Sequence, residues 1–219
     1  MAEVDQSFAF IAPAKETDVE IAVKRSRFIG SLRIALEPDE AAEKIKGFPE
    51  SFPKANHHCW AYRIGTESVI EHCSDAGEPA GTAGRPILGM LKRHSLRNTL
   101  LVVTRYFGGV KLGVRGLIEA YGEAAELAIT EAGAVEMELN LSLDLSCAYE
   151  HSKTLSTSLK KWGFGEDRVS ALYLEAVNIS LYVPCSEKAE IAPLLEEMLS
   201  RGLLQKLEWG KVPVPRPRV

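Results

Sequence analysis

The sequence predicts an α+β protein of two domains. Three observations carry that reading. Residues 19–132 pass back and forth between apolar alternation and helical spacing. A shorter series from 139 to 209 follows the order βαββαβ. No stretch approaches the ~18 apolar residues of a membrane span, and no internal repeat is visible.

The first domain is expected over residues 1–135. Val19–Val23 and Phe28–Leu36 read as strands separated by the basic knot Lys24-Arg25-Ser26-Arg27. Pro38, followed by Asp39 and Glu40, opens a helix to about Lys46, with Gly47 and Pro49 as its stop. His58–Ile64 and Ser68–Cys73 form a hairpin around Gly65-Thr66-Glu67. A glycine-rich loop follows, and Pro86 suits the first position of a helix to about His94. Asn98–Thr104 is an unbroken apolar run, as in a strand buried on both faces. A second glycine-rich loop leads into a helix over about Leu112–Ala132, stopped by Gly133.

The second domain is expected over 136–211, joined by the short connection Val135–Leu139. Leu139–Ala148, Val169–Glu175, Val177–Val183 and Leu203–Trp209 are its strands; Tyr149–Trp162 and Glu187–Ser200 are its helices. That is the split pattern of ferredoxin-like domains. Residues 212–219 form a Pro-rich tail, expected to be extended or disordered and unable to continue a ladder.

Composition narrows the function. With a net charge of −4, bulk attraction to nucleic acid is not supported. Yet Pro79–Ile118 carries seven Lys/Arg and no Asp or Glu, so a local anion site is. Cys59, Cys73, Cys147 and Cys185 form no CxxC, which fits reduced thiols in a cytoplasmic protein. The acidic N-terminus does not read as a signal peptide.

Each glycine loop precedes a helix, where backbone N–H groups and the helix dipole can receive a phosphate. Neither loop matches GxxxxGK[ST] or GxGxxG, and the glycines could equally serve tight turns and close packing. Arg85, Arg105, Lys111 and Arg115 would supply charge, and Tyr106 could stack a base. Phe107 is expected to pack in the core. Lys24, Arg25 and Arg27 are ordinary surface or an extension of a basic groove. Asp75 and Glu78 could act as acid and base or hold magnesium; more often such loop carboxylates accept backbone N–H bonds. His57, His58, Cys59, His72 and Cys73 lack metal or protease spacing, and structural roles are favoured.

Four motifs, in order, resemble the IMPACT N-terminal family, also called the YigZ or UPF0029 family. They are Lys24–Ile29, His58–Arg63, Ser74–Pro86 and Val102–Tyr121. The resemblance implies a first domain like the second domain of small-subunit ribosomal protein five, also found in elongation factor G, and a ferredoxin-like second domain. Eukaryotic relatives are linked to translational control through an activator of an initiation-factor kinase, using an additional domain. The sequence departs from the family pattern at three places: Ala76 stands for an acid, Arg115 for a glycine and Glu119 for a basic residue.

The expectation is a non-enzymatic cytoplasmic factor that binds RNA or the ribosome in translation regulation, with a protein partner possible and no membrane. A nucleotide- or phosphate-ester-acting enzyme using Asp75 and Glu78, and a protein-interaction module, are the alternatives. The anion-binding set is Arg85, Arg105, Tyr106, Lys111, Arg115, Lys24, Arg25 and Arg27. The loops are shaped by Asp75, Gly77, Glu78, Gly81, Thr82, Gly84, Gly108, Gly109 and Gly113. No catalytic residue, metal or cofactor is assigned.

Overall fold

The computed structural model describes residues 9–66, 68–165, 168–211 and 214–218. The chain divides into two compact units, Phe10–Glu136 and a second that joins Ala9 to the residues from Met137 onward. Its strands are β1 (Ala9–Pro13), β2 (Thr17–Val23), β3 (Ser26–Ile34), β4 (His57–Ile64), β5 (Ile70–Ser74), β6 (Thr99–Tyr106), β7 (Ala134–Cys147), β8 (Val169–Tyr173), β9 (Val177–Pro184), β10 (Lys206–Trp209) and β11 (Val214–Pro217). Its helices are α1 (Pro38–Ser51), α2 (Gly84–Arg93), α3 (Gly113–Ala132), α4 (Tyr149–Lys161) and α5 (Lys188–Ser200).

In the first unit five strands form an antiparallel sheet in the order β2-β3-β6-β4-β5. Strand β6 is central, and its apolar run is buried on both faces as the sequence predicts. Leu101 and Val103 join α2 and α3 in one core; Leu100 and Val102 join Ala41 and Phe48 of α1 in another. Helix α1 runs through Gly47 and Pro49, where a stop was expected. Phe48 is buried, and its ring stacks on that of Phe52 at 5.8 Å, so packing outweighs the lost N–H. Helix α2 begins two residues before Pro86. The expected hairpin forms between β4 and β5, although its turn residue Glu67 lies outside the described residues. Strand β1 was not anticipated; it bridges Ile11 to Leu96.

In the second unit, β10, β7, β9 and β8 are neighbours in that order, all antiparallel. Val177, Ile179, Leu181 and Val183 point to one face, where Leu155 and Leu159 of α4 and Ile191 and Leu195 of α5 meet them. Asn178, Ser180 and Tyr182 alternate to the other face. Val135–Leu139, expected as a connection, lies within β7.

The tail requires a correction: Val214–Pro217 does continue a ladder, pairing with Met137–Asn140. Its prolines alternate, so the missing N–H groups fall on one edge, and Val214 and Arg216 keep theirs for the other. The Arg216 guanidinium also covers the Tyr182 ring at 4.0 Å.

Candidate functional site

The first glycine loop folds around Asp75. One carboxylate oxygen accepts from the N–H groups of Ala83 (2.9 Å) and Gly84 (2.8 Å), and the other from Gly81 (2.8 Å). Gly84 is the first residue of α2, so the helix N-terminus, the place reserved for a phosphate, is filled by the chain's own acid. Burial alone would raise the Asp75 carboxyl; the three N–H bonds and nearby Arg85 outweigh it and hold it below the usual carboxylate range. Gly84 has a packing reason as well, since a Cβ there would stand 2.8–3.0 Å from the Ser74 backbone. Gly77 and Gly81 take positive φ, and Thr82 donates its hydroxyl to Pro79 O at 2.7 Å. Ala76 also lies at φ +43°, an unfavourable conformation for alanine.

Beneath this loop lies a polar cluster that the sequence reading missed. Glu78, with its side chain only 4% exposed, accepts from Arg105 Nη1 at 2.5 Å and from Tyr121 Oη at 2.9 Å. His57 Nε2 is 3.9 Å from the same oxygen. Cys59 Sγ donates to Asp75 O at 2.9 Å and lies 3.3 Å from Tyr121 Oη. Burial pushes the Cys59 thiol up to about 12, so it stays protonated near neutrality, and burial likewise raises Tyr121. Arg105, expected as a free cation, is therefore buried and committed to Glu78. One signal was available: a charged residue in a strand buried on both faces demands a buried counter-charge, and the neighbouring loop offered Asp75 and Glu78.

The adjacent histidines diverge as the strand requires. His57 Nδ1 lies 3.0 Å from Ala76 O, and His58 Nδ1 lies 3.0 Å from Thr104 Oγ1. Among the described residues no group of three His, Cys, Asp or Glu could hold a metal ion.

The second glycine loop joins the basic knot. Val23 pairs with Ser26, leaving Lys24 and Arg25 as a two-residue turn with φ +45° and +72°. Such turns ordinarily take Asn or Gly. Gly108 presses against this turn: a Cβ would sit 1.9 Å from Arg25 O, and Gly108 N–H donates to Ser26 Oγ at 3.2 Å. The loop thus packs Gly108, between Phe107 and Gly109, on the exposed Lys24-Arg25 turn. Phe107 corrects the core expectation, being 45% exposed, with the Arg105 guanidinium 5.4 Å from its ring. Its N–H is held by Asn56 Oδ1 at 2.7 Å.

Helix α3 then opens at Gly113 with no side-chain cap and no acid in its first turn. It borders a cleft of about 480 Å³ whose lining includes Glu78, Arg105, Phe107, Lys111, Val114 and Leu117. The remaining expected cations are less free. Arg27 donates through Nε and Nη2 to the two carboxylate oxygens of Glu20, each at 2.8 Å, and covers the Tyr106 ring at 5.2 Å. Arg115, with its side chain 93% exposed, pairs with Glu119 at 2.8 Å, so two departures from the family pattern face each other on α3. Arg85 is exposed on the first turn of α2.

Residues 24–129, which contain both loops and the cleft, match the Impact N-terminal domain. The chain is 36% identical over 179 residues to the IMPACT family member YvyE of Bacillus subtilis, covering 82% of each protein. It is 33% identical over 205 residues to the IMPACT family member YigZ of Escherichia coli, covering 91% of this chain and 97% of that one. A crystal structure described only as that of a hypothetical protein superposes with a TM-score of 0.63 at 30% identity, over 93% of this chain and 97% of the other. Relatives of this identity and coverage show that the chain belongs to the IMPACT family.

Proposed function

We propose that this protein is a non-enzymatic RNA- or ribosome-binding factor of the cytoplasm, acting in translation regulation through the loop face of its first unit. The observation that carries the reading is the N-terminus of α3, without a side-chain cap, lining one cleft with Lys111 and the exposed Phe107 ring, while the exposed Lys24-Arg25 turn packs on neighbouring Gly108. A helix terminus and lysines hold phosphates, and an aromatic ring stacks bases without regard to sequence. The strained turn supports the same reading, because backbone strain of this kind gathers at working surfaces.

We propose further that the first unit is like the second domain of small-subunit ribosomal protein five and that the second unit is ferredoxin-like. The neighbour order β10-β7-β9-β8 with both helices on one face supports the latter. A phosphate-ester enzyme would need Asp75 and Glu78 free to act. Three backbone N–H groups hold the first and Arg105 the second, which favours binding over catalysis.

Fluorescence anisotropy with a structured RNA at two salt concentrations tests the proposal. Binding should weaken steeply with salt, with a log–log slope that falls by roughly two to three in the Lys24→Ala/Arg25→Ala/Lys111→Ala variant. Absence of binding at low salt, or an affinity untouched by the triple change, overturns it.

A further inference from the structure

The cleft beside α3 offers more than a backbone phosphate needs. Its volume, about 480 Å³, falls within the ~300–1,000 Å³ of small-molecule sites. Two kinds of surface meet in it. Lys111 and the first turn of α3 present positive charge and N–H groups with no capping side chain. Arg105 lines the same cleft with its side chain only 7% exposed; Nη1 is bound to Glu78, and Nε is buried without a partner. A buried guanidinium N–H without an acceptor calls for one. The same lining holds apolar surfaces: Pro79, Leu117, Val114 and the Phe107 ring, with the Arg105 guanidinium near its ring. An exposed aromatic ring beside cations suits a flat heterocycle.

On the reading that this loop face holds an anion, we propose that the cleft is a site for a nucleoside monophosphate. The phosphomonoester sits at the N-terminus of α3 near Lys111 and Arg105, and the base lies against Phe107. The group arrives either as a free nucleotide or as the 5′-phosphorylated end of an RNA strand. Glu78 sets the charge of the site. It neutralises Arg105, so the cleft presents little more than Lys111 and the helix terminus, a match for one phosphate rather than two or three.

Calorimetric titration of the full chain with adenosine and guanosine 5′-monophosphates at low salt tests the proposal. Saturable one-to-one binding is expected, with adenosine triphosphate no tighter. Phe107→Ala and Lys111→Ala should each weaken it about tenfold, and Arg201→Ala, in the second unit, should not. Both altered residues are exposed, and an unchanged urea midpoint verifies that each variant folds. A short RNA carrying a 5′-phosphate should bind about fivefold more tightly than its 5′-hydroxyl counterpart. No saturable nucleotide binding, or binding indifferent to both variants, overturns the site. If the two RNAs bind equally and the nucleotides do not bind, RNA binding stands and the nucleotide site falls. If nucleotides bind through Phe107 and Lys111 while neither RNA binds, the site stands and RNA binding falls.

Discussion

The two glycine loops share a sequence signal and differ in outcome. Each places glycines and cations ahead of a helix. In the first, Asp75 lies six to nine residues upstream of Gly81, Ala83 and Gly84 and takes their N–H groups, so the N-terminus of α2 is closed from within. In the second, α3 has no acid in its first turn, Glu78 across the cleft is bound to Arg105, and the first turn keeps its donors without a side-chain cap. A glycine-rich turn before a helix therefore announces a place for negative charge, and a nearby carboxylate decides whether the chain fills that place itself.

The largest expected effect falls on the cluster that supports the closed loop. Glu78→Ala strands the Arg105 guanidinium in the interior without its counter-charge and should destabilise the protein by about 3–5 kcal/mol in urea unfolding. A loss below about 1 kcal/mol would mean that Arg105 escapes to solvent and that the two loops are not so different.

Asp75→Ala breaks the comparison more directly. It removes three charge-assisted hydrogen bonds and should cost about 2–3 kcal/mol. It should also convert the first loop into an open one, so that inorganic phosphate raises the variant's melting temperature more than the wild type's. A variant indifferent to phosphate would show that the N-terminus of α2 is no anion site even when vacated. The pH dependence follows the same acid. Its folded pKa lies below the ordinary aspartate value of 3.8. The unfolded chain therefore binds the proton first, and the Asp75 contribution is full above that value and lost as pH falls through the folded pKa. The stability gap between wild type and Asp75→Asn should accordingly close below about pH 4.

Smaller effects sharpen the picture. Ala76→Gly relieves the positive φ and should stabilise the first loop by about 1 kcal/mol, read as a higher urea midpoint. Arg115→Ala should leave both the unfolding midpoint and RNA affinity unchanged, because Arg115 is exposed and engaged with Glu119. A tenfold loss of RNA binding would return Arg115 to the binding surface.

Much of the frame was legible in the sequence because period and punctuation carry it. The central strand showed as an unbroken apolar run, and α3 as a helical stripe ended by Gly133. The misses share a cause: contacts between residues distant in sequence. Helix α1 outlasts Pro49 because Phe48 is buried, and β11 forms because β7 offers it an edge. In the site, charge and glycine content located both loops, but counting cations could not show which were already paired. Arg105 is 27 residues from Glu78 and 43 separate Glu78 from Tyr121. Nor could spacing reveal that Gly108 packs on Arg25, 83 residues earlier.

The difference between the loops can be read one amide at a time. In a nitrogen–proton NMR titration with phosphate, the account predicts progressive shifts at the N–H groups of Val114, Arg115 and Gly116, with those of Gly81, Ala83 and Gly84 unmoved. Shifts at Ala83 and Gly84, or none in the first turn of α3, would contradict it.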